Sequence, residues 1–215
     1  MENLAREKRQ KRHKKSRPNV MIFCEGETEE AYINMIKRRY SAKNVLSNKI
    51  KAKSYRMQGL TLVQHAIHTI NKMSKKQRES FDEFYVMYDR DEQSIEELQR
   101  AIKASENNHP KIHTIYCNEC FELWLLLHLD QVTTHLHREE LYRRLEKKLS
   151  LDGSYRNYKG EQISTYVENF IPTAFRNVAS LKIDEIPLKE ALELNPYTNF
   201  HQTLKHILAQ NEIDF

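Results

Sequence analysis

Two stretches share one plan: Val20-Met21-Ile22-Phe23-Cys24-Glu25-Gly26-Glu27-Thr28-Glu29-Glu30 and Phe84-Tyr85-Val86-Met87-Tyr88-Asp89-Arg90-Asp91-Glu92. Each begins with a short, continuous apolar run that has no helical period, the mark of a strand buried on both faces. Each run ends in carboxylates and leads into a segment with helical spacing. A strand that turns into a helix this way leaves its acids at the carboxyl edge of a sheet, where ligands of open α/β sheets bind. Two such strands side by side would gather four or more carboxylates. A cluster of that kind repels itself, and a bound Mg²⁺ is a usual remedy.

The pattern extends outward in both directions. Asn19 to Cys24 reads as the first strand and Thr28 to about Tyr40 as a helix. Lys49 to Met57 alternates like a second strand. Leu60 to Met73 follows as a helix with an apolar stripe at Leu62, Val63, Ala66, Ile67 and Ile70. Ser74 to Ser80 reads as a polar loop and Phe81 to Tyr88 as the third strand. Ser94, with Glu97 three residues on, opens a third helix that runs to Ser105. Lys111 to Tyr116 is the fourth strand. This alternation predicts an α/β fold: a parallel four-stranded sheet with helices on both faces, joined by right-handed crossovers.

After residue 118 the pattern turns helical, with segments at Cys120–Leu129, Arg138–Leu149, Gln162–Phe170, Thr173–Leu181 and Thr198–Ala209 and a loop at Asp152–Gly160. The organisation expected is therefore a basic, disordered tail (1–17), an α/β domain (18–118) and a C-terminal helical extension packed on the sheet (119–215).

Charge is unevenly placed. Residues 1–17 hold eight Lys/Arg, among them Arg9, Lys11, Arg12, Lys14, Lys15 and Arg17, against Glu2 and Glu7. That exceeds the chain's net charge of +5, so the body is close to neutral. Such an arm suits nucleic acid, because neutralising phosphates releases counterions whatever the base sequence; it equally suits a solvated tail. No apolar run approaches the roughly 18 residues of a bilayer span, and no secretory signal precedes the body. A cytoplasmic protein with no membrane association is expected. Three cysteines build no disulfide framework. Cys117-x-x-Cys120, even with His135-x-His137 nearby, does not complete the four-ligand set of a closed zinc site. No phosphate-cradling glycine loop is present, so ATP hydrolysis by this chain is not expected.

The individual acids have competing explanations. Glu25 and Glu29 are one helical turn apart and could face one point. Acids in a first turn also suit the positive end of a helix, which accounts for Glu29 and Glu30 but less well for Glu25 beside a buried strand. Asp89 and Asp91 would point the same way if the backbone between them stays extended. Glu122, inside the apolar run Phe121 to Leu129, needs a cationic partner or a place at a pocket edge.

Taken together, Phe23 to Glu29, Tyr88 to Glu92 and Asn118-Glu119-Cys120-Phe121-Glu122-Leu123-Trp124-Leu125-Leu126-Leu127-His128 resemble the RloB-like family. More broadly, they resemble the Toprim metal-binding domain of topoisomerases, primases and OLD-type nucleases. Asn195-Pro196-Tyr197-Thr198-Asn199 is loosely similar to that family's end motif, while Glu119 stands where proline is expected. The resemblance implies Mg²⁺ (or Mn²⁺) held by Asp89, Asp91 and Glu25, with Glu25 as the first ligand or general acid/base, Glu29 beside it and Glu92 as a supporting or second-metal ligand. It places Glu122 at the pocket edge. OLD-type enzymes also use a lysine beyond the acidic motifs, for which Lys159 is the candidate. The implied activity is a Toprim-type nuclease acting on DNA or tRNA-like RNA, an effector of bacterial anti-phage defence with an AAA/ABC-type ATPase partner; a homodimer is compatible.

Two other readings stay open on the residues alone. One is a receiver-like phosphotransfer domain, although paired acids would then be expected after the first strand. The other is a non-catalytic adaptor or nucleic-acid-binding subunit whose acids only cap helices. Deleting residues 1–17 is expected to weaken nucleic-acid binding and flatten its salt dependence, by about 0.9 in log–log slope for each duplex phosphate the tail had neutralised. Binding measured across a salt series checks this, and an unchanged slope would assign the tail another role.

Overall fold

The computed structural model describes residues 18–42 and 49–208; the tail residues named above lie outside them. The architecture is α/β, with a five-stranded, mostly parallel sheet in the order β2-β1-β3-β4-β5. Its strands are β1 (Val20–Cys24), β2 (Ile50–Ser54), β3 (Glu83–Asp89), β4 (Ile112–Asn118) and β5 (Tyr197–Thr198). β1 pairs in parallel with both β2 and β3, setting Cys24 beside Ser54 on one side and Met87 on the other. β1 and the last six residues of β3 are buried throughout, as central strands covered on both faces must be. β2 is an edge strand, and its outward Lys51 and Lys53 discourage further pairing.

The crossovers set which helix covers which face. β1 leads through α1 (Glu27–Ala42) to β2, and β2 returns past β1 through α2 (Gly59–Lys72) to β3. The strand order therefore reverses between β1 and β3. With right-handed crossovers this puts α1 on one face and α2 with α4 (Ile95–Asn107) on the other. Ser94 and Glu97 form the expected capping box at the start of α4.

Several boundaries differ from the sequence expectation. β2 ends at Ser54, because Arg56 takes a positive φ of 54° after its N–H has paired with the Glu25 carbonyl. Ser74 caps a short helix, α3 (Lys75–Arg78), inside the segment expected to be a loop. The largest difference is β5. Thr198, expected to open a helix, instead pairs antiparallel with Cys117. Asn199 extends this pairing with its side chain: Oδ1 accepts from the Tyr116 N–H (2.8 Å) and Nδ2 donates to the Thr114 carbonyl (3.0 Å). The end motif thus covers the β4 edge and adds a fifth strand to the four expected. Two residues beside a proline carry no periodicity to reveal such a strand.

The later helices share one apolar core with the sheet. α5 (Glu122–Leu127) is entirely buried. α6 (Arg138–Leu149), α7 (Glu161–Val167), α8 (Ile171–Ala179) and α10 (Phe200–Leu208) complete the layer on the α1 side, with α9 (Leu188–Ala191) preceding β5. No described helix is long and apolar enough to cross a membrane.

His128 locks α5 to α1 inside this core. The ring is fully buried, with the Trp124 carbonyl 2.9 Å from Nδ1 and the Tyr32 hydroxyl 2.9 Å from Nε2. A carbonyl only accepts, so Nδ1 carries the proton and Nε2 accepts from the Tyr32 O–H. Burial pushes the imidazole down to about 4. A ring neutral in the fold and protonated in the unfolded chain loses stability as pH falls from about 6.5 to about 4. The stability advantage of the wild type over His128→Phe is therefore expected to shrink across that window, by up to about 3 kcal/mol. Urea unfolding at a series of pH values tests this; a constant difference would contradict the buried neutral ring.

Candidate metal centre

The reversal between β1 and β3 opens a crevice at their carboxyl ends, and both acidic stretches empty into it. Glu25 directly follows β1, and its Oε2 accepts from the Asp89 N–H at 3.3 Å. Asp89 is the last residue of β3 and is only 6 % exposed. Asp91 comes round by a different route from the extended geometry expected. It takes a positive φ of 41°, a conformation tolerated by aspartate, within the turn after β3. Glu25, Asp89 and Asp91 can each offer an oxygen so that all three lie within 4.8 Å of one another. A hard divalent cation with bonds of about 2.1–2.5 Å can bridge that spread.

Local sequence explains how the acids approach so closely. The Gly26 N–H donates to Glu29 Oε1 at 3.3 Å, folding that carboxylate back over the turn. A Cβ at position 26 would come within 2.7 Å of Glu29 Oε2, so glycine leaves the space in which Glu29 sits. Gly59 does the same on the other side. With φ of 41° and no side chain it admits Gln93, whose Nε2 donates to the Asp89 carbonyl at 2.8 Å.

The cleft has a volume of about 300 Å³. Glu122, 4 % exposed, forms its inner wall and accepts from the Tyr155 hydroxyl at 3.1 Å. Lys159 enters from the loop before α7. Its Nζ lies 3.3 Å from Glu122 Oε1, donates to the Tyr142 hydroxyl at 2.8 Å and remains 41 % exposed. The Gly160 N–H donates to Thr28 Oγ1 (3.2 Å), tying this loop to the start of α1. Glu92 is exposed and lines an adjoining cleft, away from the three carboxylates that converge.

Arg138 had no signal in the sequence beyond opening a helix. Its guanidinium pairs with Asp91 and lies 3.8 Å from Asp89. Gln58, equally unmarked, donates to Asp91 Oδ2 at 3.3 Å. Both come from segments remote in sequence, and only packing brings them to the acids. Cys120 lies with Asp89 and Glu122 rather than pairing with Cys117, whose thiol is 3.2 Å from Thr198 Oγ1. Cys117-x-x-Cys120 is thus part of the buried sheet end.

The electrostatics are dominated by crowding. Burial, and next the charge of Glu29, lifts Glu25 to about 7. Burial lifts Glu29 to about 7 as well, with Glu122 adding to it. Asp89 is raised well above the usual range by burial and then by Glu25, Glu29 and Glu122, with Arg138 working in the opposite direction. Burial acts to lower Lys159, but Glu122 and Tyr142 outweigh it and hold the ammonium protonated. Five carboxylates, Glu25, Glu29, Asp89, Asp91 and Glu122, facing the partly exposed Arg138 and Lys159 make a donor set that suits a divalent ion and is poorly matched without one.

The family model described as RloB-like protein matches residues 20–207. No curated protein and no solved structure matches the chain.

Because repulsion among the acids opposes folding, Asp89→Asn is expected to stabilise the metal-free protein near neutral pH, by on the order of 1 kcal/mol. The wild type is expected to gain Tm on addition of Mg²⁺ or Mn²⁺, and the same substitution is expected to remove that gain. Thermal unfolding in chelator and in each metal measures both effects. Destabilisation in chelator with an intact metal response would show that Asp89 is not part of the repelling cluster.

Proposed function

The chain belongs to the RloB-like family, and from that premise and the acid-lined cleft we propose that it is a divalent-metal-dependent nuclease of the Toprim type. The observation that carries this reading is the convergence of Glu25, Asp89 and Asp91 on one point at the sheet's carboxyl edge, beside an exposed lysine. Carboxylate oxygens are the ligands that Mg²⁺ and Mn²⁺ prefer. Such an ion would activate a water and stabilise charge developing on a phosphate.

The chain's own residues divide the remaining work. Glu25, Asp89 and Asp91 hold the ion. Lys159, oriented by Tyr142 and Glu122, presents an ammonium to the phosphate as it gains charge. Arg138 offsets the charge of Asp91 and Asp89 and faces the same cleft. Glu29, held by the Gly26 N–H, adds its negative charge beside Glu25, which favours uptake of a cation there. The substrate class is nucleic acid, DNA or structured RNA such as tRNA, with the basic residues before Pro18 adding sequence-independent grip. The family resemblance adds a role in anti-phage defence alongside an ATPase partner.

Incubation with Mn²⁺ and separate pools of plasmid, single-stranded DNA and tRNA identifies the substrate. Glu25→Ala and Asp89→Ala are each expected to reduce cleavage to background with the circular dichroism spectrum unchanged. Lys159→Ala should lower the rate about 10²–10³-fold. Full cleavage by either carboxylate variant would overturn the mechanism, and lack of any Mg²⁺ or Mn²⁺ binding by the wild type would favour an adaptor.

A further inference from the structure

A second cluster of side chains able to hold a metal ion adjoins the acidic cleft, with Asp91 and Arg138 lining the clefts of both. Glu119, His135 and His137 each offer one ligand atom within 4.8 Å of the others. Three local features build it. His135 and His137 flank Leu136, which is buried while both histidines are exposed, so the two rings project to the same side of an extended segment. Their centroids are 4.6 Å apart. Glu119 follows the end of β4, and its carbonyl accepts from the Asp91 N–H at 3.3 Å, which fixes it beside the acidic turn.

The third feature is Asn195, the first residue of the end motif, for which the acidic cleft has no use. Its Oδ1 accepts from the Leu136 N–H (3.2 Å) and its Nδ2 donates to the Leu136 carbonyl (3.1 Å), clamping the residue between the two histidines. The same Nδ2 lies 3.5 Å from Glu119 Oε2. One half-buried amide therefore holds both ligand-bearing segments in register, the support that metal sites draw from residues behind their ligands.

We propose that Glu119, His135 and His137 form a binding site for a divalent transition ion of the zinc type, distinct from the acidic cleft. Two ligands at about 2.0–2.1 Å from a tetrahedral ion lie about 3.3 Å apart; His137 Nδ1 and Glu119 Oε2 are 3.4 Å apart. Imidazole nitrogen suits Zn²⁺, whereas the all-carboxylate cluster suits Mg²⁺ and Mn²⁺, so donor chemistry separates the two sites. Three protein ligands leave a position open, and His137 and Glu119 line a cleft of about 370 Å³ together with Gln58, Asp91, Glu92 and Arg138. This also gives Glu92 a setting: it borders the histidine site. His137 is the N-cap of α6 and Arg138 its first residue. An ion held by His137 therefore anchors the residue whose neighbour pairs with Asp91.

The test is titration of the full-length protein with ZnCl₂ in excess Mg²⁺, followed by calorimetry, with Co²⁺ substitution read by visible absorption. The expected result is one tight equivalent and the bands of a tetrahedral Co²⁺ site without thiolate charge transfer. His135→Gln and His137→Gln, both at exposed positions, should each weaken binding by more than about tenfold, and Asn195→Ala by about 10–100-fold. Asp89→Ala should retain the equivalent. The proposal is overturned if the wild type takes up no Zn²⁺, if the double histidine variant binds as the wild type does, if Asp89→Ala abolishes binding, or if a thiolate band appears. These outcomes do not depend on cleavage, so the site stands or falls apart from the nuclease reading.

Discussion

Mutual repulsion among Glu25, Glu29, Asp89 and Glu122 is the constraint around which this molecule is arranged. Three of the four are nearly inaccessible to solvent, at 4–6 % exposure. Burial of so many acids in one place is costly unless cations or protons compensate. Two devices in the chain answer it: Arg138 against Asp91 and Asp89, and Lys159 against Glu122. Both cations are partly exposed and arrive from the part of the chain that follows the parallel strands.

The rest of the fold serves this meeting. The strand order reverses between β1 and β3, which brings two strand ends together with no helix between them. Glycines at positions 26 and 59 allow Glu29 and Gln93 to close over the turns. Tyr32 and His128 tie α1, which carries Glu29, to α5, which carries Glu122. The end motif seals the β4 edge through Thr198 and Asn199, and through Asn195 it reaches the ligands of the proposed histidine site. Family motifs that look unrelated along the chain thus meet around the carboxyl edge of the sheet.

Much of this was legible in the order of residues. Strands buried on both faces announce themselves as unbroken apolar runs, which is why β1, β3 and the α/β alternation could be read directly. The acids at their ends followed from position alone, and a strand that stops in carboxylates beside another of its kind needs little more to suggest a cation. Less legible were elements that derive their stability from neighbours: β5, two residues long, exists because β4 offers an unpaired edge, and α3 exists because Ser74 and Gln77 cap each other.

By itself the sequence determined the layering, the two strand ends and the identity of the acids, because hydrophobic period and turn chemistry are local properties. Tertiary structure alone decided that Asp91 reaches the cluster through a left-handed turn, that Arg138 and Gln58 face it, that Glu92 stands apart, and that Glu119 meets His135 and His137. Those pairings join residues tens of positions apart. No local pattern encodes them, since they arise only when the sheet has closed and the helices have packed against it.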